Sequence, residues 1–181
     1  MKRFKNILYF ADSPAADREG LGRAVALAQA NQARLTVMDV TPTVSIDWDI
    51  EQRYGIKLSK TLQERRLNEL EVLTEPYADA WIMIYTDVVA GTPFIEVIRA
   101  VQRSGYDLLV KSARPAEGLA DQFFGSNDMH LLRKCPCPVW IDRPASARPY
   151  KNLLAAVDPT DPGAAGLNRL VLDLTTSVAE S

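Results

Sequence analysis

The sequence predicts an α/β fold with an open five-stranded parallel sheet, strand order 3-2-1-4-5, and helices on both faces. Short apolar runs rich in β-branched and aromatic residues alternate with helical patterns along the chain. This alternation is typical of right-handed βαβ units. The run Leu108–Val110 is apolar throughout, as expected of a strand buried on both faces. The order follows from the reversal after the first strand by which doubly wound folds form a ligand crevice.

Each element has its own local signal. The predicted strands are Asn6–Ala11, Leu35–Val40, Ile82–Val88, Asp107–Lys111 and Pro138–Asp142. The predicted helices are Asp17–Ala30, Leu58–Ala78, Phe94–Ser104 and Ser126–Lys134. In the first helix, Leu21, Val25 and Ala28 share one face, at the spacing of an amphipathic helix. Pro93 opens the third helix and Gly105 closes it. Residues Thr41–Lys57 interrupt the rhythm, and we expect an excursion over the carboxyl ends of the strands.

Composition excludes several classes of protein. The 181 residues carry a net charge of -2, which gives no electrostatic reason to bind nucleic acid or an anionic membrane. No apolar segment approaches membrane-spanning length. Cys135 and Cys137 are the only cysteines and His130 is the only histidine, so the sequence offers no zinc site. We therefore expect a cytoplasmic protein without a metal, in which the cysteines are buried small residues and a redox switch is the lesser alternative.

An internal repeat divides the chain. The segment Phe4–Leu8 matches Tyr150–Leu154, and at the same offset Asp12 matches Asp158 and Gly20-Leu21 matches Gly166-Leu167. Register kept from a strand through a loop into a helix indicates duplication. We predict a first domain at 4–142, a linker at 143–149, and the first strand and helix of a second, truncated copy at 150–181. The strand is expected at Lys151–Val157, and Leu167, Leu170, Val171 and Leu174 should form the apolar face of the helix.

Several segments together resemble the universal stress protein family. They are Lys5–Leu8 with Asp12, Leu35–Val40, Ala90–Ile98, Tyr106–Val110 and Leu131–Val139, and their order is more specific than any one of them. The segment Asp128–Trp140 is similar to the first half of a tandem, two-domain member. The resemblance implies a Rossmann-like fold of the adenine nucleotide alpha-hydrolase type and a role in stress response. Branches that bind ATP and branches that do not both exist in the family.

The resemblance also implies a candidate nucleotide site, which this sequence keeps only in part. Binding members carry Gly-x-x-Gly after the fourth strand and, at a fixed spacing, Gly-Ser or Gly-Thr, because backbone amides must approach the phosphates closely. Here Ser112 and Pro115 replace the first two glycines, whereas Gly125-Ser126 keeps the end of the motif. Pro115 has no N–H to donate, and the Cβ of Ser112 hinders close approach.

The remaining site residues each have two readings. By the resemblance, Asp12 would lie near the ribose and phosphates of a nucleotide; the other reading is that it only orders the first loop. Val40 would lie beside the adenine; the other reading is that it is a residue of the hydrophobic core. Gly125 and Ser126 hold an anion, or form a turn and a helix cap. Lys111, Arg114 and Arg18 are candidates to replace lost amides with charge. We expect Trp48, Trp81 and Trp140 to pack, although Trp48 alone lies in an irregular segment where a ligand could meet it. We expect His130 to be a helix cap or solvent-facing.

The sequence thus favours a non-catalytic stress-response module that acts through dimer or tandem-domain contacts, with no cofactor or at most weakly bound ATP. The alternative is a module that binds ATP or another small molecule in the crevice over the strand ends. A slow ATPase or phosphatase has the least support, because no residue is a credible base beside a phosphate site. As partners we expect a second copy or a tandem domain, since the predicted fifth strand is an apolar edge that invites another strand.

Overall fold

The computed structural model describes residues 3–43, 47–55, 57–113, 126–143 and 152–179. Its strands are β1 Asn6–Phe10, β2 Arg34–Thr41, β3 Ile84–Ala90, β4 Leu108–Ser112 and β5 Val139–Asp142. Its helices are α1 Pro14–Asn31, α2 Asp47–Tyr54, α3 Leu58–Thr74, α4 Pro93–Ser104, α5 Ser126–Lys134 and α6 Ala165–Ala179. Short 3₁₀ turns lie at Glu75–Tyr77 and Pro162–Ala164.

The sheet confirms the predicted fold class. Its order is β3-β2-β1-β4-β5 and every neighbouring pair is parallel. Alternate side chains of β1 enter two separate cores. Ile7 and Tyr9 pack with α1 and α3, whereas Leu8 and Phe10 pack with α4 and α5. The period of two along a strand thus gives the sheet a covered surface on each side.

The third strand begins two residues later than predicted, at Ile84 rather than Ile82. Trp81 has a left-handed backbone with φ 56, a conformation that a tryptophan in a strand does not adopt. The ladder with β2 therefore starts where Leu35 pairs with Ile84. The Trp81 side chain is 99% exposed, so the prediction that this residue packs is wrong.

The segment Thr41–Lys57 contains a helix, α2, that the sequence prediction did not include. Asp47–Tyr54 has no glycine or proline, and Gly55 follows it with φ 67, the left-handed conformation that commonly ends a helix. Glu51 and Lys57 form an ion pair of 3.3 Å across this end. Pro42 and Gly55 both lie outside Asp47–Tyr54, so neither residue interrupts the helix.

Residues 135–138 form a turn between α5 and β5. Both cysteines precede β5, which begins only at Val139, and the expectation that they are buried is wrong, because each is partly exposed. Both residues are free cysteines that pack against the core shared by α4 and α5.

We call residues 152–179 the tail, and in this described range α6 is the one regular element longer than a turn. Helix α6 contacts the rest of the molecule through Leu174, which packs against the core below α1. Residues 152–158 are not a strand, contrary to the prediction for Lys151–Val157. A strand requires a neighbour for its hydrogen bonds, and none pairs with this segment in the described part of the chain.

Candidate functional site

A buried lysine stands at the carboxyl end of β4. The Lys111 ammonium lies 2.9 Å from Asp12 Oδ1 and 2.9 Å from Asp128 Oδ1. It also donates to the carbonyl oxygen of Ser112 at 3.0 Å. The lysine thus makes two short ion pairs with carboxylates and one hydrogen bond to a backbone carbonyl. Only 1% of the lysine side chain is exposed, so its charge is neutralised inside the protein.

The two carboxylates come from elements far apart in sequence. Asp12 follows β1, and Asp128 lies in the first turn of α5, where the helix dipole favours a negative charge. Their side chains are 7% and 3% exposed. The two ion pairs of this buried cation therefore connect β1, β4 and α5 at the strand ends. We call Lys111, Asp12 and Asp128 the ion cluster.

A second polar network lies between β1, β4 and α1. The Tyr9 hydroxyl donates to Asp17 Oδ1 at 3.0 Å, and the Ser13 N–H donates to Asp17 Oδ2 at 2.9 Å. Because the tyrosine proton is used in this way, the Ser112 hydroxyl is the donor in its 2.7 Å contact with Tyr9. Burial raises the pKa of the Asp17 carboxyl to about 6. Burial also raises the pKa of the Tyr9 hydroxyl above its ordinary value.

Helix α1 passes so close to this network that only glycine fits at one position. A Cβ on Gly20 would lie 1.8 Å from Ser112 Oγ and 2.9 Å from the Tyr9 hydroxyl oxygen. The Ser112 side chain is fully buried beneath the helix. Its hydroxyl is therefore committed to the interior.

An arginine from α3 covers the ends of β1 and β2. Arg66 forms an ion pair with Asp39 and donates to the Ala11 carbonyl oxygen at 3.0 Å and to Glu69 at 2.8 Å. Burial raises the pKa of Asp39, although Arg66 opposes the shift. The other Asp39 oxygen accepts the Val40 N–H at 2.7 Å. At the ends of β1 and β2, as at the end of β4, the charged side chains are therefore paired with one another.

The structure places part of the predicted site. Asp12 and Ser112 both contact Lys111 at the strand ends, and the nearly buried Val40 lies at the end of β2, linked to Arg66 through Asp39. Ser126 is the first residue of α5. Gly125 and Pro115, like Arg114, lie outside the described residues, so the part of Gly125 in the site stays a prediction.

Sequence reasoning considered Lys111 as a positive charge for a ligand and missed its two internal partners. A lysine that ends an apolar strand, together with an aspartate in the first turn of the next helix, is the signal that could have found the cluster. His130, expected to be a helix cap or solvent-facing, instead stacks on Phe94 with ring centroids 4.3 Å apart. Within the described ranges, no three His, Cys, Asp or Glu side chains are grouped to hold a metal.

The comparison with known families decides the classification. The model of the Universal stress protein family matches residues 3–143. The chain belongs to this family. Universal stress protein E of Photorhabdus laumondii is 30% identical over 146 residues, which cover 78% of this chain and 46% of that protein. The chain spans about half the length of the curated relatives named Universal stress protein E.

Solved structures share the fold. A functionally unknown protein from Pseudomonas aeruginosa superposes with a TM-score of 0.71 at 21% identity, covering 98% of this chain and 57% of that one. A universal stress protein in complex with cAMP gives a TM-score of 0.52 at 19% identity, covering 77% of this chain and 97% of that chain. Among the described residues, no helix has the length and apolar character needed to cross a bilayer.

Proposed function

We propose that this chain is a non-catalytic stress-response module that acts through contacts with a second copy or a tandem domain, and that its nucleotide site is blocked. The observation that carries the proposal is the position of the Lys111 ammonium between Asp12 and Asp128. The family's acidic residue after the first strand is already paired here. A nucleotide would have to break a buried ion pair to reach it.

The replacement of two glycines of the family motif also weakens nucleotide binding. Ser112 directs its hydroxyl to Tyr9 and its carbonyl oxygen to Lys111, so the residue is held by interior contacts. Pro115 offers no N–H at the second glycine position. Each missing hydrogen bond to a charged phosphate removes about 1.5–3 kcal/mol. Two such losses weaken binding by roughly two to four powers of ten.

The contact surface lies on the β5 side of the molecule. A groove of about 430 Å³ is lined by side chains of β5 and of the tail, among them Val139, Trp140, Leu153 and Leu174. Leu154, which also lines the groove, is 98% exposed. A contiguous exposed apolar surface is typical of an interaction site, whereas a single exposed apolar side chain is not. We therefore place the contact with a partner at this groove, and on the internal repeat we assign 4–142 as the domain and 150–181 as part of a second repeat.

Light scattering tests the association. The full chain at tens of micromolar should be at least a dimer, and a chain truncated after Asp142 should associate less because it lacks the tail. A full-length monomer whose mass distribution is unchanged by truncation would contradict the proposal. The exposed lysine variant Lys60→Met is a control that should leave association unchanged, because that side chain is on α3.

The alternative, a module that binds ATP or another small molecule, is favoured by the solved relative that contains cAMP. A shift of the melting temperature with ATP and Mg²⁺ separates the two, since a ligand that binds only the folded state raises stability by mass action. If the site is blocked, we expect no shift at micromolar ATP. Phosphate release above a buffer blank would contradict the non-catalytic assignment.

A further inference from the structure

Two thiols face each other on the turn between α5 and β5. The sulfur atoms of Cys135 and Cys137 are 3.6 Å apart and share a hydrogen bond. Both residues are partly exposed. The chain has no other cysteine. A neighbouring pair of thiols that solvent can reach is the arrangement required of a dithiol that is oxidised within one molecule.

We propose that Cys135 and Cys137 form a reversible dithiol–disulfide pair that reacts with low-molecular-weight disulfides. In the reduced state the two thiols are hydrogen-bonded, as in this structure. In the oxidised state they are joined across Pro136. This assignment is independent of the nucleotide site and of the association surface.

The turn is held so that the sulfurs stay together. Pro136 fixes its own φ and restricts the backbone of Cys135 to extended conformations, and Pro138 does the same to Cys137. On the helix side, the Cys135 N–H donates to the Leu131 carbonyl oxygen at 2.9 Å. On the strand side, the Leu109 N–H donates to the Pro138 carbonyl oxygen at 3.0 Å. Little conformational freedom remains to be lost when the thiols react.

The two thiols have different roles. The hydrogen bond from the Cys137 thiol lowers the pKa of Cys135 to about 7. The same contact raises the pKa of Cys137. The thiolate is the nucleophile in thiol chemistry, and the lowered pKa favours that form at Cys135. Cys135 therefore attacks first, and Cys137 resolves the intermediate.

The reaction balances in two exchanges. The Cys135 thiolate attacks one sulfur of the small disulfide, which forms a mixed disulfide and releases one small thiolate. That thiolate, or water, takes the Cys137 proton, and the Cys137 thiolate attacks Cys135 Sγ and releases the second small thiolate. The small disulfide is reduced to two thiols while the protein dithiol is oxidised.

Closure of the bond requires a local movement. The sulfurs must approach by roughly 1.5 Å to reach a bond length of about 2.05 Å. Disulfides that are exposed or closed under constraint are the easily reduced ones, and those of reducing compartments are usually transient. We therefore expect the oxidised form to be returned to the dithiol readily.

The test incubates the reduced full chain with oxidised glutathione at pH 7, alkylates the remaining thiols and measures the intact mass. The wild-type chain should lose two hydrogens and carry neither glutathione nor alkyl group. Cys137→Ser should stop as a glutathione adduct at Cys135. Cys135→Ser should likewise stop as a glutathione adduct, at Cys137, because neither single variant has a resolving thiol. Excess small thiol should restore the wild-type dithiol.

Three results would overturn the proposal. One is a wild-type chain that stops as a glutathione adduct, and another is a product made only of cross-linked chains on a non-reducing gel. The third is a wild-type chain that keeps both thiols reduced after the incubation, which would show that the pair does not react with a small disulfide. The wild-type measurement needs no variant, so it decides between intramolecular closure and adduct formation even if a serine substitution disturbs folding.

Discussion

Removal of the Lys111 charge should lower the free energy of unfolding more than any surface substitution does. Lys111→Met leaves the Asp12 and Asp128 carboxylates buried without the cation that lies 2.9 Å from each. Removing one partner of a buried ion pair costs about 3–5 kcal/mol. In a chain of this length, about 4 kcal/mol corresponds to a fall of roughly 8–16 °C in melting temperature.

Urea denaturation at pH 7.5, followed by circular dichroism, measures the change in the free energy of unfolding. The matched control is Lys60→Met, since the Lys60 side chain is 70% exposed and its pair with Glu64 spans 3.6 Å. This control should change the free energy of unfolding by less than about 1 kcal/mol. A Lys111→Met variant as stable as the control would refute the ion cluster.

A rescue experiment separates loss of charge balance from loss of packing. The triple variant Lys111→Met, Asp12→Asn and Asp128→Asn has no buried charge at these positions. It should recover most of the stability that Lys111→Met loses, because an uncompensated buried charge is the larger part of the penalty. A triple variant less stable than Lys111→Met would show that packing around the lysine stem, rather than charge, carries the effect.

The remaining predictions concern the second polar network and the nucleotide loop. Burial raises the folded-state pKa of Asp17 to about 6 from an ordinary value of 3.8, so its charged form is disfavoured by folding. The free energy of unfolding should therefore fall by up to about 3 kcal/mol as pH rises from 4 to 6, and it should stay low above pH 6. Asp17→Asn should flatten this part of the pH profile when it is measured by urea titration. An unchanged profile in the variant would contradict the assignment. Gly20→Ala should cost about 1–3 kcal/mol by overpacking against Ser112, whereas Gly166→Ala, with open space at its Cβ position, should change stability by less than about 1 kcal/mol; equal effects in thermal melts would refute the steric argument. Ser112→Gly with Pro115→Gly should tighten ATP binding about tenfold or more in calorimetric titration, and no gain would mean that the lost amides are not the limiting factor.

The fold was predictable because its signals are local. The period of hydrophobicity and the caps at Pro93 and Gly105 depend on neighbours within a few residues, and they fix which segments are strands and which are helices. The exceptions have local causes that hydropathy does not encode. Trp81 takes a left-handed backbone that delays β3, and α2 lies between residues that were interpreted as helix breakers.

The site was predictable only in its first residue. The position of Asp12 after β1 is a feature of the chain's local order, and the sequence placed it at the strand ends. The sequence shows a lysine at the end of a strand and Asp128 in the first turn of the next helix, but their contact with each other and with Asp12 depends on how three elements pack. The same holds for Tyr9 and Asp17, whose hydrogen bond depends on how α1 packs on β1. Such contacts are a product of tertiary packing.

The central claim is that paired charges and lost amides block the nucleotide site, and an isothermal calorimetric titration of the wild-type chain with ATP and Mg²⁺ tests it most directly. The account predicts no measurable heat of binding at micromolar ATP and a dissociation constant no better than about 100 μM. The titration should be repeated with Lys60→Met as a control for surface charge. A low-micromolar dissociation constant for the wild-type chain would show that the Lys111 cluster does not block the site.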